Sequence, residues 1–153
     1  MIERVYYTCD ELMGRHPDAI LWGWDSKKIG VFYRCLLIHG RRFGKNKRLA
    51  VDENSFVTLM EFVYNNRLAD FMVKDDPNDL FMGYEEVMAH FPQAELYRWN
   101  PTVMGILCSS QLLYGKKCFG EAGNLVSVRS AGRLIDFTAD RFQKIAALRK
   151  RAS

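Results

Sequence analysis

The sequence predicts an α+β fold, mainly helical with short β segments, built as two tandem copies of one unit. Three observations predict it. The chain matches itself at a shift of 75 residues without a gap, with 13 identities over the 55 positions from Thr8 to Phe62. Among the identities are pairs that do not arise from apolar periodicity: Pro17 with Pro92, Trp24 with Trp99, Gly30 with Gly105 and Gly40 with Gly115. Finally, helix start signals and short β-prone runs alternate in the same order in both halves. The two copies are expected over residues 1–74 and 80–153, joined by an acidic, Pro-containing linker at 75–79.

Each copy opens on a β-prone run, Val5-Tyr6-Tyr7 or Leu80-Phe81-Met82. Thr8 and Glu11 form a capping-box pattern, so a first helix is expected from Cys9 to about Arg15, ending at His16-Pro17. The segment Asp18 to Gly23 is ambiguous between loop and helical turn, and Leu21, Trp22, Leu96 and Tyr97 read as core anchors.

A second helix is expected from Ser26 to about Ile38, capped by Asp25 and stopped by Gly40. Asn100, Pro101 and Gly115 repeat those signals. Lys27, Gly30 and Arg34 share one helix face, and Thr102, Gly105 and Ser109 share it in the second copy. Glycine inside a helix costs about 1 kcal/mol relative to alanine, so its repetition implies the close approach of another backbone. A crossing helix of the same chain is the expected neighbour, ahead of a nucleic-acid backbone.

Next comes a Gly-punctuated basic loop with five cations and no acid between Arg41 and Arg48, then a short strand, Leu49-Ala50-Val51. Its counterpart holds Lys116, Lys117 and Glu121. Asp52 and Ser127 are expected to cap a third helix in each copy, running to about Lys74 and to the C-terminus respectively.

Composition narrows the function class. At 48% hydrophobic and 13% aromatic residues the chain can bury a core, and no apolar run reaches membrane-spanning length. The N-terminus shows no secretory apolar region. Cys9, Cys35, Cys108 and Cys118 lack metal-binding spacing, so free thiols in a reducing cytoplasm are expected. His16, His39 and His90 show no triad or ligand spacing, no phosphate-binding glycine motif is present, and no cofactor is implied. A non-enzymatic role follows. The net charge of +4 is modest, but its clustering suggests phosphate contact.

Thr8 and Glu11, Ser26 to Gly40, Arg41-Arg42, and Val51-Asp52 with Ser55 together resemble the small winged helix-turn-helix domains of excisionases and MerR-type regulators. The resemblance spans both copies and rests on element order. One departure stands: the ten residues from Arg15 to Trp24 exceed the tight turn of such domains. What the resemblance implies is binding to double-stranded DNA, by a small transcriptional regulator or an excisionase-like accessory factor. The second helix would enter the major groove with Ser26, Lys27, Lys28 and Arg34, and Arg41, Arg42, Lys45, Lys47 and Arg48 would be the wing cations. In the second copy Thr102, Ser109, Lys116 and Lys117 hold matching positions. The alternative is a protein-binding module of a mobile element or phage that uses the repeats as a scaffold, meeting its partner through the second copy or the C-terminal helix.

Overall fold

The computed structural model describes residues 5–72, 80–117 and 124–152, with side chains over 5–66, 80–115 and 125–144. It is a mixed α+β structure, as the sequence predicts. The linker at 75–79, Cys118, Glu121 and the side chains of Lys116 and Lys117 lie outside the described residues.

The first half runs β1 (Tyr6–Thr8), α1 (Cys9–Arg15), α2 (Pro17–Leu21), α3 (Ser26–Arg34), β2 (Gly40–Phe43), β3 (Arg48–Asp52) and α4 (Glu53–Met72). The second runs β4 (Phe81–Met82), α5 (Tyr84–His90), a 3-10 helix (Pro92–Glu95), α6 (Pro101–Ser109), β5 (Gly115–Lys117), β6 (Asn124–Ser127) and α7 (Val128–Ala152). Each half closes a three-stranded antiparallel sheet, ordered β1-β3-β2 and β4-β6-β5. The 75-residue correspondence extends to single hydrogen bonds. Glu53 N donates to Val5 O as Val128 N does to Leu80 O, and Asp52 N donates to His39 O as Ser127 N does to Tyr114 O.

The helix starts follow the sequence. Thr8 and Glu11 make both bonds of the capping box. The Asp25 carboxylate accepts from Lys28 N at 2.8 Å, and the Asn100 side chain accepts from Val103 N at 2.8 Å. Asp52 accepts from Asn54 N and Ser127 from Ser130 N. Losing an N-cap costs about 1 kcal/mol, so Asp25→Ala and Asn100→Ala are each expected to destabilise the fold by that amount in denaturant melts.

The helix ends depart from expectation. α3 stops at Arg34, four residues before the expected Ile38, because Leu36 turns left-handed at φ 65°. Leu36 N then bonds Tyr33 O and Leu37 N bonds Phe32 O, a Schellman closure made without glycine. Gln111 repeats it at φ 67° after α6. Gly40 and Gly115 are therefore strand residues and not helix stops. A Cβ on Gly40 would sit 2.7 Å from Ala50 O, and one on Gly115 would sit 2.8 Å from Cys108 Sγ. At Gly40 the obstacle is the paired strand, and at Gly115 it is first a side chain of α6. The repeated Ser55 and Ser130 have a matching role, since each hydroxyl accepts from a loop amide, His39 N or Tyr114 N, and ties it to the helix start.

Trp24 and Trp99 are both 3% exposed, but they do not face separate cores. One hydrophobic cluster contains buried side chains from both halves. The Trp24 indole N–H donates to Ser110 O at 2.8 Å, across the two copies. Phe62 packs on its own counterpart Phe137, ring centroids 4.8 Å apart, so equivalent residues of the two copies meet there. Trp22 and Tyr97 are buried as expected, whereas Leu21 and Leu96 are 81% and 70% exposed. The helical turn between Pro17 and Gly23 aims Ala19 and Trp22 inward and leaves Leu21 outside.

Candidate nucleic-acid interface

The expected basic loop is a hairpin. β2 pairs with β3 from Gly40 opposite Val51 to Phe43 opposite Arg48, so Arg41 and Arg42 lie on a strand and only residues 44–47 form the turn. Alternation along a strand sends neighbouring side chains to opposite faces. Arg41 goes one way and stacks on Tyr6 of β1, 4.2 Å from the ring centre. Arg42 goes the other, toward Tyr33 of α3, and its guanidinium donates to Lys47 O at 2.9 Å.

Arg42 thereby reaches a groove of about 450 Å³ between α3 and the hairpin. Lys27, Gly30 and Arg34 form its helix wall, Arg42 and Arg48 its hairpin wall, and Thr8 to Asp10 at the start of α1 close one end. Five of the expected contact residues meet there: Ser26, Lys27, Arg34, Arg42 and Arg48. Four expected wing and helix cations do not line it. Lys45 and Lys47 are exposed on the hairpin turn, and Arg41 belongs to the opposite face. Lys28 is half-buried, with its Nζ folded back to within 3.4 Å of a Cβ position at Gly23. One residue of helix rotates a side chain by about 100°, which separates Lys28 from the Lys27 face.

Gly30 meets nothing. A Cβ placed there finds no atom within 4 Å, so among the described residues no crossing helix meets it and the glycine opens the floor of the groove. Among the described lining residues Asp10 is the one acid, and it is outnumbered by four cations. Cys9 also lines the groove, and burial, with the Asp10 charge beside it, pushes its thiol up. It is a neutral thiol at physiological pH and not a thiolate nucleophile. Among the described residues no group of three His, Cys, Asp or Glu side chains is placed to hold a metal ion. No described helix is long and apolar enough to cross a membrane.

In the second copy Thr102 and Ser109 are exposed at the positions of Lys27 and Arg34. Lys117 and Gly123 stand in sequence where Arg42 and Arg48 stand in the first. Four cations thus become one. Sequence reasoning missed Thr8 and Asp10 as groove residues, although the capping box already placed them at a helix start beside the sheet. Comparison with protein-family models, with curated proteins and with solved structures finds no match to this chain.

Proposed function

We propose that this protein binds double-stranded DNA without catalysing a reaction, as a small regulator or an excisionase-like accessory factor in the cytoplasm. In this reading each half is a winged helix-turn-helix-like unit, α3 is the helix presented to the major groove, and the β2–β3 hairpin is the wing. The observation that carries it is the groove in which Lys27, Arg34, Arg42 and Arg48 converge over the open floor at Gly30. Four cations spaced along a helix and a hairpin match a run of phosphates, which supply most of the affinity of such complexes. Exposed Ser26 and the α3 N-terminus then lie where base edges would be read.

Gly30→Ala separates this reading from a purely structural role for the glycine. Helix propensity favours alanine by about 1 kcal/mol, so the melting temperature should rise. The added methyl fills the groove floor, so duplex affinity should fall while its salt dependence stays the same. The function itself is tested by fluorescence anisotropy of a labelled random duplex at low salt. Saturable binding that weakens steeply with salt is expected.

A protein-binding role is the second reading, favoured by Leu21 and Leu96, exposed at equivalent positions of both copies. No duplex binding at low salt, with retention of fold, would favour it.

A further inference from the structure

The copies meet so that each recognition-type helix begins where the other ends. Trp24, just before α3, bonds Ser110 at the end of α6. Tyr33, Arg34 and Leu36, at the end of α3, share a groove of about 430 Å³ with Leu96 and Arg98, just before α6. α3 and α6 are therefore antiparallel neighbours. Each has nine residues and is about 13.5 Å long. Paired binding of two such helices needs centres about 34 Å apart, one turn of DNA, and one major groove admits one helix. The second copy cannot act as a second, spaced reader of the same duplex.

It does contribute a cation at the junction. Arg34 lines both grooves, so the second lies next to the first across that side chain. Among the described residues no carboxylate lines this second groove, and neither Arg34 nor Arg98 is in a salt bridge with one of them. Two guanidinium groups facing one groove repel until an anion lies between them. Arg98 also holds a left-handed backbone, φ 64°, at the position where the first copy has Gly23 at φ 81°. A residue with a Cβ is strained there, and such strain concentrates at functional positions.

We infer that Arg98 and Arg34 bind the phosphate backbone of the duplex held by the first groove, so that the second copy contacts DNA through Arg98 and not through α6. This rests on the DNA-binding reading above. The groove adjoins the cationic one at Arg34, and its two arginines complement the same polyanion.

The test is a salt series of duplex binding with the full chain. Arg98→Gly installs the residue that the first copy uses and removes backbone strain, so the fold is not put at risk. Arg98→Asn also tolerates the left-handed region and provides a second removal of charge. Each should weaken binding and flatten the slope of log affinity against log salt by about 0.9. Thr102→Ala with Ser109→Ala should leave slope and affinity unchanged. Wild-type binding with an unchanged slope in both Arg98 variants would overturn the inference and leave the DNA reading intact. Flattening or loss of affinity in the Thr102/Ser109 variant would overturn it by returning α6 to the interface. Absence of wild-type binding would remove both.

Discussion

Replacing Arg34, Arg42 and Arg48 together by alanine is expected to cause the largest loss of DNA affinity of any change at the surface. These three arginines line one groove and are spread over its helix and hairpin walls. Each phosphate contact releases condensed counterion and adds about 0.9 to the salt slope, so the triple variant should flatten it by roughly 2.7. Between 50 and 200 mM salt, wild-type affinity should then fall about 40-fold more than that of the variant. Arg41→Ala with Lys45→Ala provides the contrast. Arg41 stacks on Tyr6 on the far face and Lys45 lies on the hairpin turn, so their removal should change the slope less. Circular dichroism should show the fold retained in both, since all five side chains are exposed.

The largest expected loss of stability comes from Trp24. Its ring touches Trp22, Phe32 and Phe56 edge-on at centroid distances of 5.3, 4.9 and 5.5 Å, and its N–H bonds Ser110 O. Truncating a buried Trp to alanine costs about 3–5 kcal/mol, and here it also breaks a bond between the two copies. Trp99 is equally buried, but its Nε1 has no hydrogen-bond partner among the described residues. Changing each Trp to Phe isolates the hydrogen bond. Trp24→Phe leaves the Ser110 carbonyl without its donor and should cost about 1–3 kcal/mol more than Trp99→Phe, which removes an unsatisfied donor. Chemical denaturation measures both. Equal costs would mean that the cross-copy bond contributes nothing to stability.

Local signals were legible in the sequence and long-range ones were not. The caps at Thr8, Asp25, Asn100, Asp52 and Ser127 are side chains bonding their own next turn, so spacing alone reveals them. The grouping of Lys27, Gly30 and Arg34 follows from helical period and holds in the groove. The end of α3 was hidden because Leu36 takes a conformation that sequence rules assign to glycine. Gly40 looked like that stop, but its reason is Ala50 O across the sheet, a contact that sequence spacing does not show. The same holds for the wing. A run of cations cannot show which of them face α3 until strand register places Arg42 opposite Leu49 and Arg41 opposite Ala50. The repeat predicted two equal halves, yet not that Trp24 would reach into the second copy, because a shift in sequence carries no information about how the copies dock.

The proposed DNA-binding surface is tested most directly by amide chemical-shift mapping of the labelled protein as a short duplex is added. The groove predicts the largest changes at Ser26, Lys27, Gly30 and Arg34 of α3 and at Arg42 and Arg48 of the hairpin. Amides of α6 around Thr102 should move little. Changes centred on Leu21 and absent from α3 and the hairpin, or spread over the surface without a focus, would contradict the assignment of this groove to DNA.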